Sequence, residues 1–156
     1  MRGRGNAGVV QAGREVLCHV DLAEFGAARA ARFRDALDRT TDELVQAFPR
    51  SARHWGLARK GLNIFLRECL YTVYIRDAHR LDRAEEYFEV PLDSLSGRAI
   101  WLASDRSVPR WQTVRGLGVK TSDEYQAAAS RIARGYRVAR VHLDALWWGQ
   151  RTENGV

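Results

Sequence analysis

Residues 51–79 form the longest stretch of the chain in which apolar side chains recur at helical spacing. Almost every side of its middle part is apolar, through Trp55, Leu62, Phe65, Leu66, Cys69, Leu70, Val73 and Tyr74. A helix that is apolar nearly all round must be covered by other elements. We therefore expect this segment to be the central helix of the fold.

The rest of the chain shows the same helical pattern. Helices are predicted at about 9–18, 21–37, 41–48, 80–88, 94–103, 109–114, 121–134 and from 144 onward. Capping residues stand at the start of three of them: Asp21, Thr40 or Thr41, and Asp93 or Ser94. No alternating strand pattern of useful length and no repeat is visible. The sequence therefore predicts one all-α domain over residues 1–156, with about seven to nine helices and with residues 1–7 disordered.

Length and composition narrow the class of protein. A chain of 156 residues with 46% hydrophobic and 28% charged residues suits one globular domain rather than a disordered or membrane protein. No apolar run approaches a membrane span, and the N-terminus lacks the apolar core of a signal peptide. We expect a cytoplasmic monomer with no membrane partner. Cys18 and Cys69 show no metal-ligand spacing, so neither a metal nor a cofactor is predicted.

The positive charge of the chain is almost entirely arginine. Only Lys60 and Lys120 are lysines among 25 basic residues, and the net charge is +6. Arginine binds phosphate through a planar, bidentate fork, which favours a nucleic-acid partner. A GC-rich genome with a solvated arginine surface would give the same composition. Charge alone leaves both interpretations open.

The segment VRGLGVKTSDEY places two glycines one residue apart before a helix. Gly116 and Gly118 suit a turn with positive φ or a close backbone approach, Leu117 can plug the turn into the core, and Thr121 can cap the next helix. Such a turn exposes N–H groups at a helix N-terminus, where phosphate can bind. A glycine-ended connection between two helices would fit the same residues.

Residues 109–134 resemble the helix-hairpin-helix of the DNA glycosylase superfamily, in which a hydrophobic-x-Gly-hydrophobic-Gly turn precedes a lysine. Residues 141–151, which begin VHLDALWW, are similar to the segment that carries the catalytic aspartate there. The resemblance is to the 8-oxoguanine and bifunctional glycosylases, and it extends to small bacterial anti-phage glycosylases. It implies excision of a modified or damaged base from double-stranded DNA, with Lys120 as the nucleophile and Asp144 as the electrostatic stabiliser or base. A lyase step could follow.

The same resemblance suggests which residues contact DNA. Phosphate contacts are expected from Arg110, Arg115, Gly116, Gly118 and Thr121. The flipped base is expected to meet Asn63, Trp111, Trp147 and Trp148. Each assignment has a structural alternative, because Asp144 can be an N-cap, tryptophans pack in cores, and Asn63 can be a satisfied core amide. Whether the base is an oxidised purine or a modified cytosine depends on the shape of the pocket.

Two further functions fit the sequence. Arg137 and His142 have an R-x4-H spacing, which resembles the active-site motif of the HEPN ribonucleases, themselves small all-α domains. The third possibility is a helical DNA-binding module that holds phosphates without catalysis.

Overall fold

The computed structural model describes residues 7–147, and all regular structure in this range is helical. The α-helices are α1 (Ala7–Leu17), α2 (Ala30–Ala47), α3 (Trp55–Tyr71), α4 (Val73–His79), α5 (Ser94–Ala103) and α6 (Val119–Tyr136). Short 3-10 helices lie at Leu22–Glu24, Arg50–Ala52, Leu81–Tyr87, Val114–Gly116 and Arg140–His142, and residues 143–147 are again α-helical. Eight of these elements have five residues or more, so the predicted all-α class is confirmed. The predictions for residues 1–6, Trp148 and Arg151 lie outside the described range.

None of the helices in this range is both long enough and apolar enough to span a bilayer.

α3 is the centre of the fold, as its sequence predicts. Leu62 and Leu66 are fully buried on it, and α1, α2, α4 and α6 all contact it. The predicted helix does not run unbroken to residue 79, because Thr72 leaves the helical conformation with ψ at 105°. The Thr72 hydroxyl and N–H both donate to the Glu68 carbonyl, at 2.8 and 3.0 Å, and α4 begins at the next residue.

α2 is one continuous helix where the sequence predicts two. Thr40 and Thr41, expected to cap a new helix, lie buried inside α2. The Thr41 hydroxyl donates to the Leu37 carbonyl at 2.7 Å, which satisfies the side chain without interrupting the helix. The helix predicted from Asp21 is shorter than expected, because Asp21 caps only the 3-10 turn that follows it.

The core of the described chain consists of two hydrophobic clusters. The first is built mainly from α2 and α3 and includes Phe33 and Leu62. The second combines α6 with Ile100 of α5 and with residues of the connecting segments, and it includes Tyr125. Two of the predicted base contacts, Trp111 and Trp147, pack on the second cluster.

A buried ion pair joins these clusters. Arg59 of α3 donates twice to Glu89, from Nε at 2.9 Å and from Nη2 at 3.2 Å, and both side chains are only 2% exposed. Arg59 Nη1 also donates to the Thr41 hydroxyl at 2.9 Å, and the Asn63 amide donates to Glu89 at 2.9 Å. Complete hydrogen bonding is the condition under which a buried charge pair is tolerated. Because Glu89 directly precedes Val90 of the second cluster, the pair ties α3 to that cluster.

The first helix of the predicted helix-hairpin-helix does not form. Residues 109–113 are not helical, and only the 3-10 turn Val114–Gly116 precedes α6. The Pro109 carbonyl accepts the Tyr125 hydroxyl of α6 at 3.0 Å, which holds this stretch against the helix in an open conformation. Proline is tolerated at the first position of a helix, so this contact with α6, and not the proline ring, accounts for the absence of the predicted helix.

α6 begins earlier than the sequence predicts. Its first residue is Val119 and its N-cap is Gly118, whereas Thr121 was expected to be the cap. Thr121 therefore lies within the first turn of the helix. Leu117, by contrast, is buried in the second cluster as predicted.

Candidate nucleic-acid interface

A cavity of about 530 Å³ opens between α5, the loop that follows it, and α6. We call it the arginine–tryptophan pocket, and its lining consists of Ser94, Gly97, Arg98, Trp101, Leu102, Arg106, Arg110, Trp111, Gln112 and Tyr125. Two of these, Arg110 and Trp111, are among the DNA contacts that the sequence predicts. The structure brings them together at a single concave surface.

Three arginines of the pocket are exposed and carry no ion pair. Within residues 7–147, no carboxylate oxygen lies within 4.0 Å of a side-chain nitrogen of Arg98, Arg106 or Arg110. Arg106 and Arg110 instead lie over the Trp101 ring, with their guanidinium carbons 5.1 and 5.6 Å from its centroid. A cation held over an aromatic face keeps its N–H groups free for another acceptor. The pocket therefore presents positive charge that the described protein does not neutralise.

The backbone helps to place Arg106. Asp105 and Arg106 both have positive φ, at 52° and 61°, a conformation that non-glycine residues rarely adopt. The Arg106 N–H donates to the Trp101 carbonyl at 2.9 Å, which turns the chain back over the end of α5. Backbone strain of this kind is concentrated at functional sites in proteins.

Trp111 forms the inner wall of the pocket. Its ring meets Tyr125 edge to face, with centroids 5.9 Å apart, and it lies against Gly97 of α5. A Cβ atom on Gly97 would stand 2.8 Å from the Trp111 ring, so only glycine permits this contact. The Trp111 Nε1–H is buried and has no hydrogen-bond partner among residues 7–147. Burial also raises the pKa of Tyr125 above its ordinary value, so its hydroxyl remains a donor to Pro109.

The glycines of the VRGLGVK corner act differently from the prediction. Gly118 has a φ of −104°, and Gly116 also lies outside the left-handed region. Neither glycine is required by a close approach, since a Cβ atom on Gly118 would have no neighbour within 4 Å and one on Gly116 would meet only Thr113, at 3.7 Å. The close approach is made by Gly56 of α3, where a Cβ would stand 2.2 Å from the Val114 carbonyl oxygen. The prediction of a close backbone approach at Gly116 or Gly118 was therefore wrong, because Gly56 makes it.

Lys120 and Asp144 lie near different ends of α3. Lys120 is exposed in the first turn of α6, just after the corner that packs on Gly56. Asp144 accepts a hydrogen bond from Arg67 Nη1 at 3.0 Å. Gly56 and Arg67 are eleven residues apart on α3, which corresponds to about 16 Å along its axis.

The spacing of residues along α6 also shows that Lys120 and Asp144 are far apart. Arg140, four residues before Asp144, donates from Nη1 to Ser130 at 3.2 Å. Ser130 is ten residues beyond Lys120 on α6, or about 15 Å. The structure therefore does not bring the predicted nucleophile and the predicted carboxylate together in one cavity.

Two other predicted base contacts, Asn63 and Trp147, do not line the pocket. Asn63 is 3% exposed and donates to Glu89, so it is the satisfied core amide of the alternative interpretation. Trp147 packs against the second hydrophobic cluster. Of the predicted phosphate contacts, Arg115 is exposed on the corner beside Gly116.

A second cavity, of about 730 Å³, contains both residues of the R-x4-H spacing. We call it the His142 cavity, and it is lined by Asp82, Arg83, Glu85, Glu86, Arg134, Arg137, Val138, Ala139 and His142. His142 Nε2 contacts a Glu85 oxygen, and its Nδ1 lies 2.9 Å from the Tyr71 hydroxyl. Both ring nitrogens are therefore engaged, and acidic side chains share the cavity with the arginines.

Sequence reasoning missed Gly97, Arg98 and Trp101 as site residues. All three lie on one face of α5, at positions i, i+1 and i+4, so a helical projection of residues 94–103 could have grouped them. Arg106 offers no such signal, because its place depends on the turn at Asp105.

Comparison of the chain with protein-family models, curated proteins and solved structures finds no match.

Proposed function

We propose that this chain is a nucleic-acid-binding helical domain whose contact surface is the arginine–tryptophan pocket together with the corner at residues 113–121. The observation that carries the proposal is the presence of three arginines without carboxylate partners, in one cavity with two tryptophans. The His142 cavity also holds three arginines that form no ion pair within residues 7–147, but three acidic residues and no tryptophan line it.

Phosphate is the partner that best matches this arrangement. A guanidinium group offers parallel N–H donors that fit two phosphate oxygens, and it loses little hydration energy when it does so. Arg106 and Arg110 are already held over Trp101, which reduces the entropy lost when they bind. Aromatic rings between basic side chains are typical of surfaces that bind nucleic acids.

The corner extends this surface. Gly118 caps α6 without any side-chain hydrogen bond, so the first N–H groups of an 18-residue helix have no side-chain acceptor from their N-cap. Unsatisfied N–H groups at a helix start attract phosphate. Arg115 is exposed on the same corner and adds a further positive charge.

The proposal can be tested by measuring DNA affinity at several salt concentrations. We expect the triple variant Arg98→Ala, Arg106→Ala, Arg110→Ala to bind a fluorescent duplex more weakly. Its dependence on salt should also be shallower, because each lost phosphate contact removes about 0.9 from the slope of log K against log salt.

The matched control is the triple variant Arg14→Ala, Arg32→Ala, Arg50→Ala. It changes the net charge equally, and none of these arginines forms an ion pair within residues 7–147. An equal loss of affinity in both triple variants would reduce the proposal to a general effect of charge.

Base excision by Lys120 and Asp144 stays a narrower prediction. The separation along α3 and α6 weighs against it, so we expect no borohydride-trapped adduct on duplexes with oxidised purines or modified cytosines. An adduct that disappears in Lys120→Ala but persists in Lys60→Ala would restore it.

A ribonuclease is the second candidate, because Arg137 and His142 line the same cavity. A general acid–base role requires a free ring nitrogen, so Glu85 or Tyr71 would have to release His142 when RNA binds. Cleavage of RNA that is lost in both His142→Ala and Arg137→Ala, while DNA stays intact, would support this activity. Intact RNA at every pH tested would exclude it.

A further inference from the structure

We propose that the arginine–tryptophan pocket receives an unstacked nucleobase, so that the chain prefers single-stranded nucleic acid to a continuous duplex. This inference rests on the proposed function and specifies its ligand. It concerns the shape of the pocket, whereas the proposed function depends on its charge.

The first argument is concavity. Phosphates on a duplex lie on the outside and can be met by a flat or convex basic surface. Here the arginines line a cavity of about 530 Å³ whose walls include Trp101 and Trp111. A duplex keeps its bases stacked inside, whereas a single strand can insert one base into such a cavity while its phosphates stay at the rim.

The second argument is that planar side chains already lie next to one another in the pocket. Arg106 and Arg110 lie over the indole ring, and a guanidinium group is itself planar. Bases stack on aromatic rings and on guanidinium planes alike. Trp101 and these two guanidinium groups therefore offer an inserted base planar groups on which it can stack.

The third argument is the Trp111 ring. Its N–H is a donor without an acceptor in the described protein, and a buried donor of this kind is costly. Nucleobases carry carbonyl oxygens and ring nitrogens that accept hydrogen bonds, whereas apolar ligands do not. This donor therefore favours a base over an apolar ligand.

The other cavities lack this combination. The His142 cavity is lined by three acidic residues as well as three arginines. The cavity between α1 and α2 has four acidic residues and no aromatic ring other than His19 in its lining, and the groove between α1 and α3 is almost entirely apolar. None of these linings suits both a base and its phosphate.

Gly97→Ala gives a test that changes no charge. The added methyl group would stand 2.8 Å from Trp111 and push its ring into the pocket. We expect this variant to bind a single strand of about 12 nucleotides at least tenfold more weakly. Its affinity for the duplex of the same sequence should change less than twofold.

Gly61→Ala is the matched control, since it is the same substitution inside a helix and meets no atom within 4 Å. Its affinities should equal those of the parent chain. If Gly97→Ala does not fold, as judged by circular dichroism, Trp101→Leu removes the stacking ring with the three arginines kept and decides the question in the same assay.

A strand of abasic residues provides the corresponding change in the ligand. It has the same phosphates but no bases, so we expect it to bind the parent chain about as weakly as a single strand binds Gly97→Ala. Equal affinity of the abasic and the normal strand would overturn the inference.

The outcomes separate the two proposals. If the arginine triple variant loses affinity but Gly97→Ala and Trp101→Leu keep the parent ratio of single-strand to duplex affinity, the pocket binds phosphate only and this inference fails alone. If the arginine triple variant binds both ligands like the parent, the proposed function fails as well.

Discussion

The arginine–tryptophan pocket and the His142 cavity both contain three arginines, but they differ in how charge is balanced. Three acidic residues, Asp82, Glu85 and Glu86, share the lining of the His142 cavity with its arginines, and His142 contacts Glu85. In the arginine–tryptophan pocket the basic groups face tryptophan instead. The acidic residues in the lining, rather than the number of arginines, therefore indicate where an external anion would bind.

The largest effect is expected at the ion pair that joins the two parts of the core. Glu89→Ala removes the buried carboxylate partner of Arg59 and leaves it only the half-exposed Asp38, at 2.8 Å, and removal of one partner of a buried pair costs about 3–5 kcal/mol. Urea unfolding followed by both tryptophan fluorescence and circular dichroism should show one destabilised transition. Two separate transitions would mean that the two clusters are independent and that the pair does not couple them.

A carboxylate placed in the arginine–tryptophan pocket should remove its distinguishing property. Leu102 lines the pocket and is 49% exposed, so Leu102→Glu offers the three arginines an internal partner. We expect DNA affinity to fall about tenfold, or about 1.4 kcal/mol, in a titration at low salt.

Leu95→Glu is its matched control, because Leu95 is on the same helix and is 54% exposed but does not line the pocket. Its affinity should fall much less. Similar losses in the two variants would show that the overall charge of α5, and not the pocket, controls binding.

Removing a carboxylate from an arginine elsewhere on the protein should have a smaller effect. Asp144→Asn removes one partner of Arg67, but Glu68 still accepts from it at 2.9 Å. We expect a loss of about 1 kcal/mol in the free energy of unfolding and no gain in DNA affinity. A clear gain in affinity would mean that an arginine freed anywhere on this surface can bind DNA, which would weaken the contrast between the two cavities.

The smallest effect concerns acid stability of the helix that carries the pocket. Burial by itself would raise the pKa of Asp93, but hydrogen bonds from the Ser96 and Leu95 amides and the nearby Lys60 ammonium outweigh it and hold the pKa below its usual 3.8. The stabilisation is therefore present above the unfolded pKa and is lost as pH falls through the folded one.

Asp93→Asn should consequently lower stability at neutral pH and reduce the further loss between about pH 4 and pH 2. Thermal melts across this range provide the measurement. A variant whose melting temperature falls with acid as steeply as that of the parent would show that Asp93 does not contribute to the pH dependence.

Local signals in the sequence predict several features correctly. The central position of α3, the burial of Leu117 and the capping role of Asp93 all follow from helical spacing or from short-range hydrogen bonding. The predicted break at Thr41 and the unbroken run through Thr72 were wrong, because a threonine hydroxyl can bond inside a helix or at its end. Only the surrounding packing distinguishes the two cases.

Fewer features of the candidate site than of the fold could be predicted from the sequence. Arg110 and Trp111 were singled out as neighbours of the hairpin, and they do lie in the pocket. The helix expected around them is absent, because Trp111 packs across the molecule on Gly97 and Pro109 is held by α6. Such long-range contacts leave no periodic trace in the chain. The separation of Lys120 from Asp144 is likewise a property of the whole fold.

Because Gly56 of the central helix packs directly on the Val114 carbonyl, the position of the corner depends on that helix. The two backbones contact each other there with no side chain between them. No side chain can therefore change its rotamer to make room for a larger residue at position 56. A residue with no part in any chemistry would then be the least replaceable position of the interface. Even alanine at position 56 should displace the corner from α3 and disturb the proposed nucleic-acid surface without altering any residue proposed to contact the ligand.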